Sequence, residues 1–298
     1  MLLDIFLIST TDVKGGRSEV CGRMLKSMLE SQRALPRDRI HLRLLLQNCD
    51  SREFEAFAAT APDFVHPVAV TGRVALSIAR NMLLRPLMAE HGVDPDALVA
   101  FPDDDCWYPA GFLSQVAALF ARDSALDFWF CRYASKPSQD SISTVERAGA
   151  RTSRSARAGR SARAGQIVRN ASSNTIFLRG RVVNAIGGFD EALGVGTPLG
   201  GAEDLDYALR ARRVARKTLY RDAALVGHRD KSPGVRARYY ASGLVVLARH
   251  AGNGAGGECL RKIAVGVYLT LRRELRLRDF VKALGQAFGA RRETRDAS

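Results

Sequence analysis

Three consecutive aspartates, Asp103, Asp104 and Asp105, follow an apolar run over residues 97–101 and a single proline. The apolar run predicts a buried strand, so three carboxylates crowd the end of that strand. Neighbouring like charges disfavour their ionised forms unless a cation lies close to them. Divalent cations such as Mg²⁺ prefer oxygen ligands and often bridge to phosphates. The spacing therefore indicates a divalent metal site, with a solvated turn, where Asp is common, as the structural alternative.

Arg80 lies within a predicted helix over residues 72–90, in the sequence Ala79-Arg80-Asn81. Its helical neighbours are mostly apolar, so its guanidinium needs an anionic partner. The oxygens of a diphosphate match the fork of a guanidinium. A position on the helix surface, where most arginines lie, is the structural alternative.

Two acids, Glu203 and Asp204, open a predicted helix after the glycine-rich stretch 194–201. Glycines let a backbone approach a ligand closely, although the helix dipole favours acids in a first turn without any catalysis. His228 follows the last predicted strand. A neutral imidazole there is a competent metal ligand, and the alternative is a histidine with a purely structural role.

The first half of the chain alternates between strand and helix patterns, which predicts α/β layering. The predicted strands cover residues 2–9, 40–46, 65–70, 97–101 and 126–133, and the helices 20–31, 54–59, 72–90 and 111–121. Later strands are predicted at 174–179 and 219–226. Ligands of open α/β sheets bind beyond the carboxyl ends of such strands.

In this order, these groups resemble the inverting GT-A glycosyltransferases of family 2 over about residues 1–230. The run Asp103-Asp104-Asp105 is similar to the D-x-D motif of that family, and Glu203-Asp204 to its "ED" motif. The Ala-Arg-Asn around Arg80 recurs there too. The resemblance implies a GT-A-type, Rossmann-like α/β domain with a mixed, mostly parallel central sheet, followed here by a C-terminal helical extension.

The resemblance also implies a role for each acid. Asp105 would bind the metal, Asp103 would face the ribose of the nucleotide, and Asp104 would be less critical. One of Glu203 and Asp204 would be the catalytic base. Asp204 is the favoured base, with Glu203 as the alternative or as its orienting partner.

Other residues receive binding roles from the same resemblance. His228 would complete the metal shell, and Arg80 would bind the diphosphate. Three residues at the ends of the first two strands would cradle the nucleotide base: Thr10, Thr11 and Asp50. Trp107 would stack on the acceptor sugar or belong to the core.

The implied reaction is transfer of a hexosyl group, with inversion, from a nucleotide-diphosphate donor, a UDP-sugar being the favoured one. A divalent cation, Mn²⁺ or Mg²⁺, would neutralise the leaving diphosphate, so a single base suffices to take the acceptor proton. That base must lie on the face opposite the leaving group. The expected acceptor is a glycan or a lipid-linked glycan, in polysaccharide biosynthesis.

Positive charge is concentrated in the second half of the chain. Residues 1–146 hold 15 Lys and Arg against 19 Asp and Glu, whereas residues 147–298 hold 30 against 12. A basic half implies a polyanionic neighbour, either anionic lipid or nucleic acid. The predicted division is a catalytic domain at 1–232, with a mobile Arg/Ser-rich loop at 134–170, and a basic helical region at 233–298.

Apolar residues at helical spacing within 260–284 (Ile263, Val267, Leu271 and Leu275) predict one basic amphipathic helix. Such a helix is typical of a peripheral contact with an anionic membrane surface, and a helix packed on the catalytic domain is the alternative. Five scattered cysteines without a C-x-x-C pair favour a reducing cytosol. The first nine residues lack the features of a signal peptide. The predicted location is cytoplasmic, at the inner face of the membrane.

Two other functions compete with sugar transfer. A nucleotidyltransferase also uses acids at strand ends with a Mg²⁺-nucleotide, and Lys14-Gly15-Gly16-Arg17 faintly resembles its phosphate loop. A basic nucleic-acid-binding protein would explain the net charge of +14. The charge is confined to one half and no recognised nucleic-acid module is present, so no nucleic-acid partner is expected.

Overall fold

A central sheet of seven strands organises the chain in a computed structural model that describes residues 3–33, 39–89, 91–138, 142, 161–229, 237 and 239–296. The strands are β1 (Ile5–Asp12), β2 (Ile40–Gln47), β3 (Val65–Ala69), β4 (Leu98–Ala100), β5 (Leu126–Ala134), β6 (Ile176–Arg179) and β7 (Lys217–Gly227). Their order across the sheet is β3-β2-β1-β4-β6-β5-β7.

Helices cover both faces of this sheet and form the C-terminal part of the chain. They are α1 (Ser18–Arg33), α2 (Ser51–Ala58), α3 (Leu76–Met88), α4 (Phe112–Arg122), α5 (Ala164–Asn170), α6 (Gly180–Ile186), α7 (Glu203–Val214), α8 (Tyr240–Arg249), α9 (Gly256–Leu271) and α10 (Leu277–Asp296). The predicted α/β class, with a mixed and mostly parallel sheet and a helical extension, is confirmed.

Strand direction determines which residues meet at one edge of the sheet. Strands β1, β2, β3 and β4 are mutually parallel. Strand β6 runs antiparallel to both β4 and β5, and β7 is parallel to β5. The carboxyl ends of β1, β4 and β7 therefore share an edge with the beginning of β6. Residues that follow β1, β4 or β7 can therefore reach one another at this edge, and so can residues that precede β6.

Alternating apolar side chains give the sheet two buried faces. In β1, Ile5 and Leu7 belong to the core on one face, whereas Ile8 belongs to the core on the other. This alternation is the consequence of the two-residue period of a strand. Burial on both faces fixes the register of β1 against β2, because a shift by one residue would exchange the two faces.

The C-terminal helices attach to the sheet domain through α8. Val246 and Leu247 of α8 belong to the core that contains Ile8. Tyr240 and Leu244 of α8 form a separate, third core with residues of α9 and α10. The imidazole Nε2 of His250 lies 2.9 Å from a carboxylate oxygen of Asp206 in α7. Among the described residues, no helix has the length and apolar character needed to cross a bilayer.

Two predictions about the basic half are wrong in part. The single helix expected over 260–284 is two helices, because α9 ends at Leu271 and Arg273 adopts a left-handed backbone with φ of 59°. The end of the predicted loop 134–170 is helix α5, anchored by the fully buried Ile167. Residues 139–141 and 143–160, which include the first Arg-Ser-Ala-Arg-Ala-Gly repeat, lie outside the described part of the chain.

Candidate active site

A cleft of about 740 Å³ opens at the shared edge of the sheet and is referred to as the edge cleft. Its lining combines the ends of β1 and β2, the start of α3, the three aspartates after β4, and the loop before α7. The polar and charged residues that line the edge cleft are Thr10, Thr11, Asp12, Arg17, Gln47, Arg73, Arg80, Asp103, Asp104, Asp105 and Arg229.

Asp103 is held by residues from two other elements. Its carboxylate accepts hydrogen bonds from Arg80 Nη2 at 2.8 Å and from Asn174 Nδ2 at 3.0 Å. The Asp103 backbone N–H donates to Asn174 Oδ1 at 2.7 Å. Asn174 is the middle residue of a short 3₁₀ turn, Ser173–Thr175, that directly precedes β6, so the antiparallel direction of β6 is what brings it to this edge.

Asp104 is buried, and its carboxylate is hydrogen-bonded to other residues of the protein. Its Oδ2 accepts from Thr11 Oγ1 at 2.7 Å and from Arg17 Nε at 3.0 Å, and Arg17 Nη2 also contacts its Oδ1. The hydrogen bond to Asp104 is the main reason that the pKa of Arg17 is raised. Asp104 therefore joins the end of β1 and the start of α1 to the strand-end acids, so a structural role is clear for it.

Asp105 lies among three basic side chains although it is only 3% exposed. His228 Nε2 is 3.1 Å from its Oδ1, while Arg229 Nε and Arg17 Nη2 are 3.2 and 3.3 Å from its Oδ2. Burial opposes ionisation of Asp105, but His228, Arg229 and Arg17 together hold its pKa well below the usual range. The carboxylate is therefore ionised at neutral pH.

The ring of His228 is oriented by its other nitrogen. Nδ1 lies 2.9 Å from the backbone oxygen of Arg229, while the ring packs edge-on against Tyr133. This leaves Nε2 directed toward Asp105. Burial lowers the pKa of His228, but the Asp105 carboxylate more than offsets that effect and raises the pKa. Loss of the Nε2 proton would leave a lone pair facing the carboxylates, which is the arrangement of a histidine metal ligand.

Within the described residues, Asp103, Asp105 and His228 offer ligand atoms that all lie within 4.8 Å of one another. This trio is the Asp–Asp–His group. Two carboxylates and an imidazole suit Mn²⁺ or Mg²⁺ by their chemistry. The residues therefore fit a divalent cation, and Asp103, predicted only as a ribose contact, lies within the same group.

Arg80 connects the strand-end acids with helix α7. It is 1% exposed, donates through Nη2 to Asp103, and places Nη1 3.6 Å from Glu203 Oε1. The surface alternative for Arg80 is thus wrong, since its anionic partners are protein carboxylates. Direct contact with a diphosphate stays a prediction. Arg80 nevertheless lines the edge cleft.

The two acids of α7 are both in its first turn but differ in exposure. Glu203 is 7% exposed, whereas Asp204 is half-buried. Burial, followed by the neighbouring Asp204, raises the pKa of Glu203 to about 7. Burial also raises the pKa of Asp204, although Arg80 opposes that rise. Raised carboxyl pKa values are expected of a group that takes a proton near neutral pH.

Glycines before α7 let its preceding loop pack against the start of α3. Gly194 and Gly196 have φ of 103° and 95°. A Cβ at Gly194 would lie 2.7 Å from Ser77 Oγ, and one at Gly196 would lie 3.0 Å from the Cα of Ala75. The sequence predicted close approach of this backbone to a ligand. The close approach seen at these two positions is instead to the protein.

The residues predicted to cradle a base are placed differently from one another. Thr10 lines the edge cleft and is held by Leu45 O at 3.1 Å and Gln47 Nε2 at 2.8 Å. Thr11 also lines it while bonding Asp104. Asp50 is exposed, is absent from the cleft lining, and caps helix α2 through a mutual pair of bonds with Glu53.

Trp107, expected at an acceptor sugar or in the core, and Lys14, from the sequence that resembles a phosphate loop, both contact other residues of the protein. Trp107 forms a backbone bridge with Gly227, and the guanidinium of Arg23 lies 4.0 Å from its ring centre. Trp107 therefore helps to hold the end of β7 near the aspartates. Lys14, the lysine of the faint phosphate-loop sequence, lies 3.9 and 3.6 Å from Asp50 and Glu53.

Three residues of the site were not singled out from the sequence. Arg17 follows the Gly15-Gly16 turn, Arg229 directly follows His228, and Asn174 is the first residue of a predicted strand. The position of Arg229 beside a candidate ligand was a usable signal. Asn174 had none, because its importance depends on the reversed direction of β6.

The chain is similar in structure to several solved proteins. It superposes on a fragment of TarS from S. aureus, residues 1–349, with a TM-score of 0.63 at 16% identity, covering 99% of this chain and 83% of that one. For TarS 1–349 in complex with UDP-GlcNAc the TM-score is 0.65 at 15% identity, with 97% and 81% covered. The chain therefore has the fold of TarS.

A mannosyltransferase also shares this architecture. PcManGT from Pyrobaculum calidifontis, in complex with GDP-Man and Mn²⁺, gives a TM-score of 0.52 at 16% identity, covering 100% of this chain and 76% of that one. The chain spans about half of the longer TarS structure, 49% of it. No protein-family model and no curated protein matches the chain.

Proposed function

We propose that this chain is a metal-dependent glycosyltransferase of the inverting GT-A type, similar to family 2. The observation that carries the proposal is the Asp–Asp–His group beside the edge cleft, joined through Arg80 to the acids of α7. The fold supports it, because the similar solved structures include TarS with UDP-GlcNAc and PcManGT with GDP-Man and Mn²⁺.

Asp105 and His228, with Asp103, would hold the divalent cation. When bound, such a cation neutralises charge on the leaving diphosphate. Arg80 keeps Asp103 and Glu203 in fixed relative positions through its two nitrogens. Asp104 would support the Asp–Asp–His group indirectly, because it accepts hydrogen bonds from Arg17 and Thr11.

Asp204 would accept the proton from the acceptor hydroxyl. It is the more exposed of the two acids in the first turn of α7, so an acceptor can reach it more easily than Glu203. Glu203, paired with Arg80, would orient the first turn of α7. One base is sufficient for inversion by in-line attack.

The donor would be a nucleotide-diphosphate hexose, with a UDP-sugar preferred over a GDP-sugar. Thr10 and Thr11 lie at the end of β1 where the nucleotide would enter the cleft. The acceptor would be a glycan or lipid-linked glycan on the cytoplasmic side of the cell membrane, in polysaccharide biosynthesis. The catalytic domain would occupy residues 1–232, with the basic helical region beyond it.

Nucleotide binding gives a direct test of this proposal. With Mn²⁺ present, UDP or GDP at a hundredfold excess over its dissociation constant should add about 2.7 kcal/mol of stability. For a chain of 298 residues that corresponds to a rise in melting temperature of about 4 °C. Thermal-shift titrations with UDP, GDP and UTP, each with and without Mn²⁺, measure this. Strong binding of random DNA without any response to nucleotides would contradict the proposal.

Two exposed apolar stripes on the C-terminal helices support peripheral membrane contact. On α9 the stripe is Leu260, Val267, Tyr268 and Leu271, and on α10 it is Leu277, Val281 and Phe288. Leu260 and Leu271 are 70% and 79% exposed. Exposed arginines flank both stripes, at Arg261, Arg272, Arg273, Arg276 and Arg278. Apolar groups beside cations complement an anionic lipid surface.

Removal of the apolar groups should therefore weaken vesicle binding without loss of folding. The double variant Leu271→Ser/Leu277→Ser should lower partitioning onto vesicles with 30% anionic lipid by at least about tenfold. The matched control is Val214→Ser, another exposed apolar residue but far from these helices in sequence. Sedimentation with anionic and neutral vesicles measures the effect. Equal binding to both vesicle types would contradict an electrostatic membrane contact, and so would unchanged binding of the double variant.

A further inference from the structure

The Asp105 carboxylate is already surrounded by positive charge. Its Oδ1 faces His228, and its Oδ2 lies within 3.3 Å of both Arg229 and Arg17. A divalent cation that uses Oδ2 must compete with these arginines for the same oxygen. The site therefore contains internal competitors for its own metal.

The two arginines differ in how firmly they are held. Arg17 makes a two-pronged contact with Asp104, and its side chain is 29% exposed. Arg229 Nε lies 3.2 Å from Asp105 Oδ2, and its side chain is 69% exposed. Arg229 also lines the edge cleft. Of the two, Arg229 can leave Asp105 at lower cost, because its side chain is more exposed and Arg17 is also held by Asp104.

We propose that Arg229 exchanges partners, from Asp105 to the diphosphate of the donor. Without cation and nucleotide, Arg229 neutralises the Oδ2 of Asp105. When both are bound, its guanidinium pairs with diphosphate oxygens in the edge cleft, a contact that suits its geometry. This inference rests on the proposed function. It identifies Arg229 as the residue that couples binding of the cation to binding of the nucleotide.

The exchange makes cation and nucleotide binding mutually favourable. A cation that displaces Arg229 frees it for the diphosphate, and a diphosphate that takes Arg229 clears Asp105 for the cation. Each ligand must then increase the affinity of the other by the same factor, because coupling free energies are reciprocal. A residue that served only to hold Asp105 in place would not produce this effect.

The variant Arg229→Gln separates the two halves of the exchange. Mn²⁺ alone should bind about tenfold more tightly than to the wild type, since a competing cation has been removed. UDP and GDP measured in saturating Mn²⁺ should bind about tenfold more weakly, since a diphosphate partner has been lost. Isothermal titration of MnCl₂, and of each nucleotide with and without MnCl₂, measures both affinities and their coupling.

Two further variants make the outcome decisive. Arg73→Gln removes another exposed arginine of the edge cleft, one that lies 3.9 Å from Asp12, and its affinity for Mn²⁺ alone should equal that of the wild type. Arg229→Lys keeps the charge and should return nucleotide affinity toward the wild-type value. It also serves if Arg229→Gln does not fold.

The possible failures are distinguishable. A wild type that binds Mn²⁺ but neither nucleoside diphosphate would overturn the proposed function, and the exchange with it. A wild type that binds nucleotide normally, with an Arg229→Gln affinity for Mn²⁺ equal to or weaker than the wild-type value, would overturn the exchange alone. Opposite changes in the two affinities would establish it.

Discussion

Asp204→Asn should reduce the rate of sugar transfer by about 10²–10⁴-fold, the range that a general base contributes. Nucleoside-diphosphate affinity in Mn²⁺ should stay within about twofold of the wild type, because Asp204 is absent from the lining of the edge cleft. The amide cannot take the acceptor proton, yet it keeps the size of the side chain and can accept the bond from the Leu205 N–H. Transfer from a radiolabelled donor and nucleotide titration together measure the two effects.

Glu203→Gln is the matched control in the same helical turn. Its side chain pairs with Arg80, so its loss should lower the rate less and should disturb the position of Asp103. Transfer that survives in Asp204→Asn but disappears in Glu203→Gln would reverse the two assignments. Loss of nucleotide binding in Asp204→Asn would instead place Asp204 in the donor site.

The pH dependence of transfer should follow from the same acids. Burial raises the pKa of Asp204, and it raises the pKa of Glu203 to about 7. The base acts only when it has lost its proton. Because the pKa of Asp204 is raised, the rate should begin to fall, as the pH decreases, above the range in which a solvent-exposed aspartate is protonated. The acidic limb attributable to Asp204 should be missing from the residual activity of Asp204→Asn.

Asp105→Asn should abolish the stabilisation by nucleoside diphosphate that depends on Mn²⁺. The substitution removes a charged oxygen from the Asp–Asp–His group and leaves His228 and Arg229 without their carboxylate partner. Affinity for Mn²⁺ should fall by about a hundredfold or more. The measurement is the rise in melting temperature on adding Mn²⁺ and UDP, taken relative to the melting temperature of the same variant without ligands.

The melting temperature of each variant must be compared with and without ligands because Asp105 also contributes to the stability of the fold. Its depressed pKa means that its ionised form is stabilised in the folded protein, so the ligand-free variant should melt at a lower temperature. Asp279→Asn, an exposed aspartate of α10, is the control for the substitution itself and should behave as wild type. A full Mn²⁺-dependent shift in Asp105→Asn would contradict the assignment of Asp105 as a ligand.

The sequence was informative wherever function demands unusual local chemistry. Three acids after an apolar run, an arginine in an apolar helix and a histidine after a strand each allowed a structural explanation on its own, but the structure brings all of them to one edge of the sheet. Periodicity also located the strands to within a few residues, because the pattern of burial on two faces is local.

What the sequence could not show depends on contacts between distant segments. Asp103 receives Asn174 only because β6 reverses direction, and no local pattern encodes that reversal. Arg80 was expected to need an anion, but the identity of that anion depended on where α7 lies. The prediction of a single helix over 260–284 was wrong because the helical spacing of the apolar residues continues across the turn at Arg273.

The short strand β6 gives the Asp–Asp–His group an unusual position in the sheet. Asp103 and Asp105 follow β4, whereas His228 follows β7, and strands β6 and β5 lie between β4 and β7 in the sheet. The contact between His228 and Asp105 therefore joins these two parts of the sheet directly, beside the backbone bridge of Trp107 and Gly227. A ligand held by all three residues of the group would act as a clasp between the two parts, so its binding would stabilise the sheet against local opening at β6.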